Sequence, residues 1–384
     1  MDIEFSEFQY ANGLLALPFR ESQRSGVINF DLPLDWTLNY DLVALALTTL
    51  LGNKYSSVHL ESAVSEETRI TAERLTQATW NAPELSNRHT SGTGVRTNLA
   101  LNFSGGFDSL AAQALLPRET HLISLNFGGP FAREHEFFKD FPTYTITTNF
   151  RDLGFSLNTW SFMGIGSILL RDYLNLGMYS FGAILEASPW HFNAATKSGD
   201  LKQGWFNAAG LKVFNPVIGM TEVGTAMIIL RHRPELAMRS LSSVAAAGSL
   251  KHLRKLLLLH AARDITDVHI DLEPVDTDQP PMGVFGRDLA NDFLSLYLHK
   301  HGGSGHARLL VGDLPQSVVQ AIRPLSLDFY RKINTNFYSG TPATLTAHAL
   351  YEATYSHCHP YTYTDWQEFL AVKEILARYH SFPA

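Results

Sequence analysis

Apolar and polar positions along this chain follow two different rhythms, and the change between them falls near residue 98. Gly26-Val27-Ile28-Asn29-Phe30-Asp31-Leu32 alternates with the period of a strand and stops at Pro33, and Leu14 to Phe19 offers it a partner. Tyr40 to Leu51 is apolar almost throughout and ends at Gly52, as a buried helix with a glycine stop does. Ser65 to Trp80 reads as a second helix, with Ser65 three residues before Thr68 and the acids Glu66 and Glu67 in its first turn. The polar, Gly- and Ser-containing stretch from Asn81 to Thr97 reads as a linker. Residues 1–95 are therefore expected to form a small α+β domain.

From Asn98 the order becomes strand–helix–strand, which predicts parallel βαβ units and an α/β domain over residues 96–262. Strands are expected at Leu99–Phe103, Thr120–Phe127, Thr143–Thr148 and Met178–Leu185, with helices at Phe131–Phe141 and Thr159–Leu174. Ligands of open parallel sheets lie beyond the strand C-termini. That rule draws Ser104–Ser109, Asn126–Gly129, Asn149–Arg151 and Phe181–Glu186 around one crevice. After an acidic boundary marked by Pro280-Pro281, residues 263–384 read as mostly helical, with Leu289–Leu298 and Trp366–Tyr379 amphipathic. Aromatics crowd Leu325–Tyr338 and Tyr351–Trp366, suited to a core or a homodimer face.

The first strand of the second rhythm runs straight into Ser104-Gly105-Gly106-Phe107-Asp108-Ser109 and then into the helix-like Leu110–Leu116. A strand that turns directly into a helix aims backbone N–H groups and the positive end of the helix dipole at one point, which favours phosphate. Two glycines let the main chain approach an anion closely, and successive amides form a nest. Ser104 and Ser109 add hydroxyl donors. Asp108 would repel phosphate unless a cation lies between them, which implies Mg²⁺. The plain alternative is a Ser-Gly-Gly turn before a surface helix.

The hexapeptide resembles the SGG-x-DS signature of the PP-loop, or N-type, ATP pyrophosphatases, a superfamily that includes asparagine synthetases and 7-cyano-7-deazaguanine synthases. The resemblance implies a Rossmann-like adenine nucleotide alpha hydrolase fold over residues 96–262, with ATP and Mg²⁺ bound. It further implies adenylation of an acceptor oxygen on a carboxylate or carbonyl, with release of pyrophosphate, and then attack by an amine or ammonia. Amides of Gly105, Gly106 and Phe107, with the Ser104 and Ser109 hydroxyls, would bind the phosphates, and Asp108 would hold the metal. The segment Asn126-Phe127-Gly128 looks like the one that cradles adenosine, with Arg133, Arg151 and Lys197 as further cations for phosphate or acceptor. Phe214-Asn215-Pro216-Val217-Ile218-Gly219-Met220-Thr221-Glu222 is similar to the family's N-P-L element, but its usual Lys is Glu222 here. That departure leaves Lys212 or Lys197 to supply the cation. Ala246, Ser249 and His252 stand where several relatives carry the cysteines of a zinc knuckle, which implies that the metal has been lost.

Composition narrows the chemistry. The chain has 384 residues, 45% hydrophobic and 17% charged, with one cysteine. Position 2 is Asp, so a glutaminase of the N-terminal cysteine type is not expected. Cys358, in Tyr355-Ser356-His357-Cys358-His359-Pro360, does not fit a sulfur-transfer pattern. Nitrogen would come from free ammonia, an amine substrate or a separate nitrogen-donor protein. His357, Cys358 and His359 lack the second ligand pair of a zinc site. No apolar run approaches the roughly 20 residues of a membrane helix, and the acidic start Met1-Asp2-Ile3-Glu4-Phe5 points to the cytoplasm. The net charge of −7 argues against nucleic acid as the general partner. Charge is uneven, however: Arg231 to Arg263 holds seven bases and one acid, and Asp264 to Asp278 holds six acids and no base. The basic stretch is expected either to hold an anion or to form a solvated helix face. Two other functions stay open: a nucleotide-binding regulatory or assembly protein with decayed catalysis, and tRNA modification of the tRNA-lysidine type.

Overall fold

The structure is a computed structural model that describes residues 1–85, 95–196 and 204–382. The chain forms two compact units that interleave along the sequence. The first comprises residues 1–104, 119–181 and 202–214, and the second residues 105–118, 182–201 and 215–384. The boundaries expected at 95/96 and 262/263 would divide the chain into contiguous stretches instead.

The first unit holds two sheets. Strands β1 (Asp2–Phe5), β2 (Gln9–Ala11), β3 (Leu14–Glu21), β4 (Ser25–Asp31), β5 (Ser57–Leu60) and β6 (Thr79–Asn81) make a mixed sheet in the order β2-β3-β1-β5-β6, with β4 on the free side of β3. The expected hairpin is present, with Leu17 opposite Ile28 and Leu15 opposite Phe30. These residues are buried because the period-2 alternation puts all of them on one face. The Tyr40–Leu51 helix begins where Asn39 accepts the Leu42 N–H and ends at Gly52, whose φ is 55°. The next helix is shorter than the expected Ser65–Trp80, covering Glu66–Thr76. Gln77 turns left-handed (φ 57°), and Trp80 instead joins β6, where its buried indole N–H donates to Thr76 Oγ1 at 2.9 Å.

The second sheet is parallel throughout. Strands β7 (Asn98–Asn102), β8 (His121–Asn126), β9 (Thr143–Thr147), β10 (Leu176–Phe181) and β11 (Lys212–Val213) lie in the order β11-β10-β7-β8-β9. The α/β character with a parallel sheet is thus present. Residues of both sheets share one hydrophobic core. Phe19 of β3 meets Phe155 edge-on at 5.1 Å, and the Trp36 indole donates to Leu169 O at 2.8 Å. The boundary expected near residue 95 therefore separates two sheets of one core.

The long helix expected over Thr159–Leu174 does not form. A short 3₁₀ turn (Trp160–Gly164) leads into one helical turn (Ile165–Leu169). Two glycines explain why. A Cβ on Gly164 would lie 2.2 Å from the Phe206 ring, and one on Gly166 would lie 2.7 Å from Ile123. The backbone is pressed against its neighbours there, and packing overrides the apolar run.

The second unit is mostly helical among the described residues. Its longer helices are Phe107–Leu115, Glu222–His232, Leu250–Thr266, Leu289–Tyr297, Ala343–Tyr355 and Tyr363–Leu376. The aromatic stretch Leu325–Tyr338 folds as short 3₁₀ turns that bury Phe329, Tyr330, Phe337 and Tyr338. Tyr330 stacks on Phe293 at 4.3 Å, so these rings fill a core. No helix among the described residues is long and apolar enough to cross a membrane.

Candidate functional site

The glycine loop is held from several sides. Gly105 has φ 77°, which an L side chain rarely adopts. Gly106 is extended and N-caps the Phe107–Leu115 helix without a side-chain cap bond. Ser240 donates its hydroxyl to Gly105 O at 2.7 Å, and Ser109 donates to Gly106 O at 2.9 Å. Ser109, expected to face phosphate, therefore also ties down its own loop. Gly182 passes so close that a Cβ there would lie 2.6 Å from the backbone of Asp108 and Ser109. Only glycine permits that approach.

Behind the loop lies a cluster of charged side chains. Asp108 accepts the Thr225 hydroxyl at 2.9 Å on Oδ1, and its Oδ2 is 3.7 Å from Lys255 Nζ. Lys255 Nζ donates to Glu222 Oε1 at 2.7 Å, and Arg254 Nε lies 3.3 Å from Glu222 Oε2. Glu186 Oε1 accepts the backbone N–H of Glu222 at 2.7 Å, while its Oε2 is buried without a hydrogen-bond partner. The Glu222 and Lys255 side chains are 4% and 5% exposed. Thr221 caps the Glu222–His232 helix through the Val223 and Gly224 N–H groups and donates its own hydroxyl to Tyr330 O.

Electrostatics follow from this packing. Burial, reinforced by the Glu222 and Asp108 carboxylates, pushes Glu186 up to about 8. Burial also raises Asp108, against the pull of Lys255. Burial opposes ionisation of Glu222 too, but Lys255 and Arg254 outweigh it and hold that carboxyl below its usual range. Lys255 stays charged: burial disfavours the ammonium, yet Asp108 and Glu222 raise it above its ordinary value. Asp108 and Glu222 thus lie within ion-pair distance of Lys255 and Arg254, with Glu186 beside them.

The other expected contacts lie in the first unit. Ser104 closes the segment after β7. Asn126, at the end of β8, accepts the Gly128 N–H on its Oδ1 at 3.1 Å. Gly128 has φ 63°, and a Cβ there would meet nothing within 4 Å, so open space adjoins its backbone. Arg151 stacks its guanidinium 3.8 Å over Phe131 and 5.3 Å from Phe127. Arg133 is exposed on the Ala132–Phe138 helix, and Lys212 is exposed on β11. Lys197 lies outside the described residues.

The basic stretch divides by partner. Arg254 and Lys255 face the buried acids, whereas Arg233 pairs with Glu235, Arg263 with Asp264, and Arg231 lies over the Tyr355 ring. The three positions compared with a zinc knuckle make a helix cap. Ser249 donates to Ala246 O at 2.7 Å and accepts the His252 N–H at 3.2 Å, starting the Leu250–Thr266 helix. Cys358 is buried with its thiol toward Gly224 O at 3.7 Å, and burial pushes the thiol up to about 12. Among the described residues no group of three His, Cys, Asp or Glu side chains is disposed to hold a metal.

Sequence reasoning missed Thr225 and Lys255 as neighbours of Asp108. The available signal was Glu222 itself: an acid in an apolar, glycine-containing helix start calls for a buried cation, and the basic stretch held the candidates. The chain was compared with protein-family models, with curated proteins and with solved structures, and it matches none of them.

Proposed function

We propose that the Gly105–Ser109 loop binds the phosphates of ATP together with Mg²⁺. On this reading the chain is an ATP-dependent ligase that adenylates an acceptor oxygen, releases pyrophosphate and admits an amine or ammonia. The observation that carries the reading is the loop's construction. A positive-φ glycine and an extended glycine at the N-cap turn the chain into a nine-residue helix whose first turn carries Asp108. Helix-start amides of this kind stabilise anionic oxygens by position and charge.

The residues present fit Mg²⁺ in one specific way. One carboxylate, Asp108, stands at the loop, and among the described residues no group of three His, Cys, Asp or Glu side chains is disposed to cage a metal. Mg²⁺ in nucleotide sites is commonly held by one or two carboxylates, with phosphate oxygens and water completing its octahedron. When bound, the ion would neutralise the charge that develops on departing pyrophosphate. Thr225 orients Asp108 through its hydroxyl, and the loop amides fix the phosphates.

Calorimetric titration with a nonhydrolysable ATP analogue tests the reading. Binding should require Mg²⁺ and should weaken at least tenfold in Asp108→Asn, as expected for loss of a charge-assisted contact. No heat of binding to the wild-type chain would sink it. AMP and pyrophosphate formed in equal amounts with one acceptor would establish the ligase. Tight binding with no pyrophosphate across a broad acceptor panel would favour the regulatory reading, which the engagement of Asp108 by Thr225 and Lys255 supports.

A further inference from the structure

Glu222 opens its helix at the position where the resemblance expects lysine. An unmatched carboxylate there would oppose a phosphate site. In this chain it is matched, and the match comes from a different helix. Lys255, in the second turn of the Leu250–Thr266 helix, brings its ammonium 2.7 Å from Glu222 Oε1 and 3.7 Å from Asp108 Oδ2. The same Nζ lies 5.2 Å from the centroid of the Phe107 ring, on the first residue of the loop helix. A positive charge therefore stands beside the first turn of that helix even though residue 222 no longer provides one.

Two details distinguish this from a generic buried ion pair. Glu222 has a second cation, Arg254, 3.3 Å from its other oxygen. Its charge is thus answered even if Lys255 turns elsewhere. Asp108 likewise has a second partner, the Thr225 hydroxyl at 2.9 Å. Among the described residues Lys255 is the one that pairs with both acids, and either acid keeps a partner when the ammonium shifts by a few ångströms. A flexible four-carbon stem carrying three rotatable donors suits such a shift.

We propose that Lys255 is the cation that supports phosphate at the loop from beside the first turn of its helix and that Glu222 is the acid that holds its ammonium there, so that charge has been exchanged between two helix positions. The inference rests on the reading that the loop binds a triphosphate. It excludes Lys212, in the first unit, from that role.

The test is calorimetry on the full chain with Mg²⁺ and the α,β-methylene analogue of ATP. The double variant Glu222→Gln/Lys255→Met removes both charges and leaves no buried acid at 222 without its cation. It should bind roughly ten- to a hundredfold more weakly than wild type, the loss expected for one charge-assisted contact. Glu222→Lys/Lys255→Met returns a lysine to the helix start and should recover affinity to within about tenfold of wild type. A merely structural role for Lys255 would show in the melting temperature and would not give that recovery. If wild type binds and the Gln/Met variant, folded by circular dichroism, binds equally well, the proposal is overturned. It is equally overturned if Lys212→Met abolishes binding and the Gln/Met variant does not. Absence of heat with wild type would instead sink the underlying reading, and the two failures are thereby told apart.

Discussion

In the second unit, Asp108, Glu186, Glu222, Arg254 and Lys255 meet largely out of solvent; Asp108 and Glu222 lie within ion-pair distance of a cation, and Glu186 accepts a backbone N–H. In the first unit, Asn126, Gly128, Phe131 and Arg151 meet through an amide hydrogen bond and a guanidinium stacked on a ring, beside open space. The difference lies in what each arrangement demands of its surroundings. A buried charge costs several kcal/mol unless it is paired. The acids behind the loop therefore constrain residues on three separate helices. A half-exposed stack loses little when altered, so it leaves its neighbours freer to vary.

The largest effect that would break this contrast concerns Glu186. Its carboxyl is raised from 4.5 to about 8. In that window the folded chain holds a proton that the unfolded chain has released. Stability contributed by this group is therefore complete below about pH 4.5 and is lost as pH rises, by about 1.4 kcal/mol per pH unit until pH approaches 8. Urea unfolding of wild type and Glu186→Gln across that range should show a shallower decline in the variant. Parallel pH profiles would mean that Glu186 is ionised in the native protein and that the cluster carries an uncompensated charge.

A smaller effect sharpens the backbone side of the comparison. Gly182→Ala forces a methyl to within 2.6 Å of main-chain atoms and should cost roughly 1–3 kcal/mol. Gly128→Ala enters open space and suffers only its positive φ, about 1 kcal/mol. Equal losses in denaturant midpoint would remove the distinction between the tightly packed loop and the open segment. The smallest effect is expected from Arg151→Ala, about 0.5–1 kcal/mol from the lost stacking. A loss of several kcal/mol by the same measurement would show that Arg151 is structurally coupled far beyond Phe131 and Phe127.

Much of the local architecture was legible beforehand. The β3–β4 hairpin, the Tyr40–Leu51 helix with its glycine stop and the parallel strands from Asn98 onward follow from local periodicity and turn residues. Periodicity failed at Thr159–Leu174, where Gly164 and Gly166 are pinned by Phe206 and Ile123, residues about 40 positions away in either direction. It failed again at Trp80, which left its helix for a strand in which its indole is buried. The loop itself was visible because its glycines, serines and aspartate are contiguous. Lys255 was visible only as one base among seven, since nothing local distinguishes it from Arg263, which pairs with its exposed chain neighbour Asp264.

The linear order of residues thus determined the strand–turn–helix around Gly105 and Gly106, because glycine conformation and helix starts depend on a few adjacent residues. Folding in three dimensions decided which acid meets which base. Asp108, Glu186, Glu222 and Lys255 are separated by dozens of positions, and their pairing is set by the burial of the apolar helices that carry them. Coulomb interactions between such groups depend on distance and on the exclusion of water, and neither quantity is encoded by neighbouring residues alone.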